Sequence, residues 1–204
     1  FALTIRVRGI TTHFWLLEDQ IRDWGIALRP LTELPLVGPP THVGGYTIGP
    51  AYYWLMWLIR VTVGPWFDNL PHGGGIGQAI VEPPAHAVLL LAVWHRTRSP
   101  WFALAAAMLI ATAAYDVSLS AIVWTTVVAS ALGKLAVASV LFGWHRAGGW
   151  RVAAIAALAW SAVHVYTGAV FMTVGVFAAL LADPLARRAW GELHSHAVAV
   201  GQQP

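Results

Sequence analysis

Two adjacent carboxylates, Glu18 and Asp19, stand one helical turn before a third, Asp23, with Arg22 beside it. On a helix lying at a membrane edge, such a pair can supply one general base that takes the proton of an acceptor hydroxyl. Arg22 and Asp23, at the third and fourth positions after Asp19, fall on the same helical face. The spacing also admits a plainer reading, a solvated face on which Glu18 and Arg22 form a weak surface pair. Asp116, in Ala114-Tyr115-Asp116-Val117-Ser118, is either a second acid of a site or the cap of the helix after it. His164 and Lys134 interrupt apolar runs, where an ionisable group is costly and marks a bundle interior or a functional site. Lys134 in that position either snorkels or pairs with a carboxylate across the bundle. Glu82 and His86 share a face beside Pro83-Pro84. They are too few for a metal site, and a buried hydrogen bond is the simpler reading. The glycines at 73–75 and 77 lack the Lys-Ser/Thr that follows in a phosphate loop. No Ser-His-Asp arrangement is readable, and no metal site is assigned.

The elements that must position these groups are apolar. The chain is 58% hydrophobic and 10% charged, where soluble domains carry about 25% charged residues. Runs such as 102–114 and 152–182 cannot all face water. The composition therefore predicts an all-α, polytopic integral membrane protein with about 4–6 spanning helices. The absence of cysteine excludes disulfides and thiolate metal sites. A net charge of +3, scattered along the chain, implies no nucleic-acid surface.

Along the chain, 1–5 reads as the exit of a first span, so further chain is expected before Phe1. No signal peptide with a cleavage site is readable. Thr12 caps a predicted amphipathic helix over 12–28, with Phe14, Leu17, Ile21 and Trp24 on the apolar face and Glu18, Asp19, Arg22 and Asp23 opposite. A helix so divided lies in the membrane interface. Residues 29–50 hold five prolines and four glycines and form a loop. Pro50 opens a short helix to about residue 63, stopped by Gly64-Pro65. Its length of about 20 Å falls short of a bilayer core and makes it a second interfacial helix. Spans are expected near 74–94, 100–115 and 119–144. The run 152–182 is either a hairpin or one long tilted helix. Residues 191–204 form a polar tail. The one membrane domain is thus 1–190.

Basic residues set the sidedness. His95, Arg96, Arg98, His145, Arg146, Arg151, Arg187 and Arg188 cluster beside Trp94, Trp101, Trp144, Trp150 and Trp190, as cytoplasmic loops and aromatic belts do. The 12–50 region is then external, although Arg6, Arg8, Arg22, Arg29 and Arg60 fall on that side.

The order of a span exit, an acidic pair in an amphipathic helix, a Gly/Pro loop and GPAYYWLMWLIRVTVG resembles the bacterial GT-C glycosyltransferases of the dolichyl-phosphate-mannose protein mannosyltransferase type. In that family the loop reads GPP…GG…GPLYYYLLA, close to Gly38-Pro39-Pro40 through Leu58 here. The segment that is WNP-like in the family reads Ile122-Val123-Trp124-Thr125-Thr126, without the Pro and Asn. The resemblance is specific over 14–64 and diffuse over the rest of 1–185. It implies a polyprenyl-phosphate sugar donor, an extracytoplasmic acceptor and inversion at the anomeric carbon. The catalytic base falls on Asp19, with Glu18 as its neighbour and second candidate. Arg60, His164 and Asp116 are candidates for contact with the phosphate or sugar. The lipid-linked sugar is a substrate, so no cofactor is implied. Membrane lipids are the immediate partners, and the bacterial cytoplasmic membrane is the implied location. The alternative is a non-catalytic subunit of a larger membrane assembly built on the same scaffold, associated with a pigment or haem through His86 and His164.

Overall fold

The computed structural model describes residues 2–8, 18–40, 44–46, 49–67, 70–113, 117 and 124–201. Among the described residues the chain is all-helical, and strand pairing is limited to one isolated bridge, Pro40–Tyr46. The α-helices are α1 (Ala2–Val7), α2 (Glu18–Ala27), α3 (Ala51–Thr62), α4 (Leu70–Thr97), α5 (Pro100–Ala111), α6 (Thr125–Leu141), α7 (Gly149–Val165) and α8 (Val170–Gly201). In the bundle α4 packs on α5 and α6, α6 on α7, and α8 on both α7 and α6. The shorter α2 and α3 pack on each other, and α3 rests on α4 and α7 at one end of the bundle.

Local chemistry sets the ends of these helices. Ser99 caps α5, its hydroxyl accepting from the Phe102 N–H, with Pro100 at the first helical position, where no N–H is needed. Gly143 closes α6 in the left-handed region, at φ 70°, with its N–H bonded to the Val140 carbonyl. Tyr166 is extended and separates α7 from α8. Pro83 and Pro84 do not break α4. Each lacks an N–H, so the carbonyls of Ala79 and Ile80 lose their helical donors. Ala79 and Ala85 on either side are fully packed, and that burial holds the helix through the step.

Two segments are long and apolar enough to cross a membrane, Gly73–Thr97 and Thr167–Arg188. Only 17% of the most apolar stretch of the second is buried by the rest of the chain, against 44% of the first. Phe171, Val174, Leu181 and Leu185 project from it. The segments expected at 100–115 and 119–144 carry helices of 12 and 17 residues, about 18 and 25 Å long.

The core falls into an end-to-end sequence of apolar clusters. Trp24, Tyr52, Tyr53, Met56, Val128, Ala129, Ala162 and Val165 gather where α2 and α3 meet the bundle. Ala136, Ile155, Ala159, Val176 and Leu180 fill the far half between α6, α7 and α8, and Leu89, Ala92 and Ala138 fill it between α4 and α6. Small residues allow the closest approaches. A Cβ on Gly133 would overlap the Met172 sulfur, and one on Gly77 would overlap the Ile59 side chain. Beside Met172 lies a cavity of 370 Å³ lined by Val137, Val140, Leu141, Gly175, Val176 and Ala179.

Candidate functional site

The acidic segment is helical from Glu18 to Ala27, and its buried residues are Gln20, Asp23, Trp24 and Ala27. This differs from the face the sequence predicts. Ile21, on the predicted apolar face, is 58% exposed from the rest of the chain, while Asp23, on the predicted polar face, is 3% exposed. Phe14 and Leu17 lie outside the described residues. The rotation has a polar cause. Asp23 Oδ1 accepts from Arg22 Nε at 2.9 Å and from the Tyr53 hydroxyl at 3.2 Å, with Arg22 Nη2 at 2.8 Å. A carboxylate so paired can be buried, and Trp24 follows it into the cluster under α3.

Arg22 reaches outward as well. Its Nη1 lies 2.7 Å from Asp19 Oδ1, and the Asp19 side chain is 43% exposed. The guanidinium therefore joins a half-exposed carboxylate to a buried one, and Tyr53 anchors the buried one to α3. Burial raises the pKa of Asp23, although the hydrogen bond and charge of Arg22 oppose the shift. Burial, then the Asp23 charge, raises that of Tyr53, so the phenol remains a donor. Glu18 is exposed in the first turn of α2, where a negative charge suits the helix dipole.

The other expected site residues are placed as follows. Arg60 Nη1 donates to the Leu28 carbonyl at 2.6 Å, which satisfies an orphan acceptor at the end of α2. His164 is half-buried on the last turn of α7, edge-on to Trp160, and its ring lies so close to Gly49 that a Cβ there would overlap it. Gly49 leads into Pro50 and α3, so the imidazole braces the entry to the helix that carries Tyr52 and Tyr53. The α2–α3 unit thus holds Glu18, Asp19 and Arg60, with His164 beneath its entry. Asp116 lies outside the described residues. Sequence reasoning missed Tyr53 as a partner of Asp23. The only signal was the Tyr52-Tyr53 pair itself, on a helix whose buried face was not yet fixed.

A second polar group occupies the middle of the bundle. Gln78, Glu82 and His86 are buried at successive turns of α4. Gln78 Oε1 accepts the Trp124 N–H at 2.9 Å and so fixes the start of α6. Lys134 Nζ, from α6, donates to Glu82 Oε2 at 2.8 Å, and His86 Nδ1 lies 3.2 Å from the same oxygen. The far end is basic. Asp183 on α8 receives Arg146, His145 and Arg187, and the Arg151 guanidinium lies over the rings of Trp144 and Trp150 at 5.8 and 5.3 Å. Among the described residues no group of three or more His, Cys, Asp or Glu could hold a metal ion. Comparison of the chain with protein-family models, with characterised proteins and with solved structures finds no match.

Proposed function

We propose that this chain is a multi-pass protein of the bacterial cytoplasmic membrane that transfers a sugar, in the manner of GT-C glycosyltransferases, from a polyprenyl-phosphate donor to an extracytoplasmic acceptor. The observation that carries this reading is the Asp19–Arg22–Asp23–Tyr53 chain. It presents one half-exposed carboxylate at the end of an apolar bundle and fixes its direction through two buried partners. Asp19 is the general base. It takes the proton of the acceptor hydroxyl as that oxygen attacks the anomeric carbon, and the lipid phosphate leaves from the opposite face. Arg22 and Asp23 are positioning residues, since Asp23 is too buried to touch a substrate. A phosphate leaving group needs only cationic and dipolar groups at the surface. Arg60, partly exposed and with further N–H groups beyond the one on Leu28, is the nearest candidate by sequence and helix. Glu18 is the alternative base.

The membrane reading rests on the two long apolar segments and on the separation of charge. The acidic α2–α3 unit lies at one end of the bundle, and His95, Arg96, Arg146, Arg151 and Arg187 lie at the other, which is taken as cytoplasmic. The helices α6 and α7, with their flanking residues, complete the crossing, while α2 and α3 lie in the interface.

Asp19→Asn tests the chemistry, because the amide is nearly isosteric and accepts no proton. In membranes supplied with polyprenyl-phosphate sugars, transfer is expected to fall by about 10²–10⁴-fold with expression and folding intact. Wild-type rates in Asp19→Asn would end the assignment of the base. Absence of transfer by the wild-type protein would favour the structural-subunit alternative.

A further inference from the structure

The bundle is incompletely closed between α6 and α8. Val137, Val140 and Leu141 of α6 face Gly175, Val176 and Ala179 of α8 across a groove of 370 Å³ whose lining side chains are all apolar. That volume lies within the range of about 300–1,000 Å³ that small-molecule pockets span. The groove opens outward at Gly175, which is exposed and where an added Cβ would meet nothing within 4 Å. Along α8 it follows one face from Met172 to Ala179, over about 10 Å. The rest of the chain covers little of this helix, so in the membrane reading the groove opens onto lipid. Sugar transfer, placed at the opposite end of the bundle, makes no use of it.

The same face of α8 continues to Asp183, about 6 Å beyond Ala179. Asp183 holds two guanidinium groups, that of Arg187 on α8 and that of Arg146 from the turn after α6. The arginine side chains are 46% and 55% exposed for Arg146 and Arg187, against 18% for the carboxylate between them. One carboxylate cannot balance two guanidinium groups, so positive charge faces outward at the mouth of the groove. Arg151 adds a third cation at this end, held over Trp144 and Trp150. Trp144 itself packs against the cluster that contains Val176 and Leu180.

We infer that the α6–α8 groove and the Arg146–Asp183–Arg187 cluster together form a binding site for an anionic phospholipid. One acyl chain lies in the groove, and the phosphodiester stands against the two guanidinium groups, whose forked donors match phosphate oxygens. A free anion would use the cluster and leave the groove empty, and a neutral apolar ligand would leave the charge unmatched. A phospholipid joins an apolar chain to a negative group in the order the structure presents them. Basic clusters between spanning helices are suited to anionic headgroups, and Trp144 and Trp150 stand where aromatic rings meet the headgroup level. Met172 stands at the inner end of the groove, where the tail of a flexible chain can yield to it. The inference rests on the membrane part of the proposed function and is independent of sugar transfer.

The test is native mass spectrometry of the full chain released from nanodiscs of phosphatidylcholine and phosphatidylglycerol, which reads both retained lipid and the number of chain copies. The wild-type chain is expected to retain phosphatidylglycerol over phosphatidylcholine. Arg146→Gln and Arg187→Gln should each lower that preference by about fivefold, the share of one arginine beside an anionic headgroup. Gly175→Leu fills the groove from an open position and should reduce retention of lipid while leaving the ion cluster in place. Should that variant fail to enter bilayers, Ala179→Leu fills the same groove. Equal retention of the two lipids, or a preference that survives the filled groove or both arginine changes, overturns the proposal. Paired chains that carry no lipid overturn it too and give the groove to a second copy. A wild-type chain that does not enter bilayers ends the membrane reading and this inference together, whereas one that enters and shows no preference ends the inference alone.

Discussion

The end of the bundle and its middle hold the same arrangement in different surroundings. In each, one carboxylate oxygen collects a cation and a ring group, Arg22 and Tyr53 on Asp23 Oδ1, Lys134 and His86 on Glu82 Oε2. At the end, the cation has a second carboxylate to reach, the half-exposed Asp19, so the buried pair aims a group at the surface. In the middle the pair instead joins two helices 52 residues apart in sequence. Similar ion-pair chemistry therefore orients a half-exposed carboxylate at the end of the bundle and joins two helices where water is excluded.

The largest expected effect tests the middle. Lys134→Met leaves the Glu82 carboxylate buried without its ammonium and should cost about 3–5 kcal/mol. The double variant Glu82→Gln, Lys134→Met should recover most of that loss, because no uncompensated charge remains. Thermal or denaturant unfolding in detergent measures both, and equal losses would show that packing rather than charge dominates there.

An intermediate effect tests the end. Tyr53→Phe removes one hydrogen bond to a charged acceptor and should cost about 1.5 kcal/mol. The pH dependence is more telling. Burial raises the Asp23 pKa, so the folded chain retains a proton that the unfolded chain releases near the ordinary value of about 3.9. The folded state then binds more protons in that window, and stability declines as pH rises from about 4 through the folded value. Asp23→Asn should abolish that decline. A wild-type stability that rises with pH there would reverse the assignment.

The smallest effect concerns Arg60. Arg60→Met removes the cation from the end of α2 and should cost about 0.3–1 kcal/mol. A loss of donor affinity well beyond that change would establish Arg60 as a phosphate contact as well as a helix cap.

Much of the helical class was legible because hydrophobic runs and Gly/Pro punctuation are local. Ser99-Pro100, Gly64-Pro65 and the interruption after His164 mark breaks that need no tertiary partner. The buried charges were legible as costly, since Glu82, His86 and Lys134 stand in apolar surroundings. Their grouping was not, because it depends on the register of α4 against α6. The burial of Asp23 was not legible for the same reason. Period alone places Asp23 on the polar face, and only Tyr53, 30 residues later, makes its burial favourable. Arg60 presents the same difficulty, since a carbonyl with no donor leaves no trace in a sequence.

The contact of Gly133 with Met172 bears on how this sequence can drift. One missing methyl group holds α6 and α8 close, and such a position ordinarily tolerates nothing larger. Here the obstructing atoms belong to an unbranched thioether, and the cavity beside it offers room for another rotamer. A change to alanine would be met by a side-chain swing rather than by separation of the helices. Neighbouring sequences with fuller residues at 133 are therefore reachable in single steps, with the void at Val137 and Ala179 serving as the slack that makes them viable.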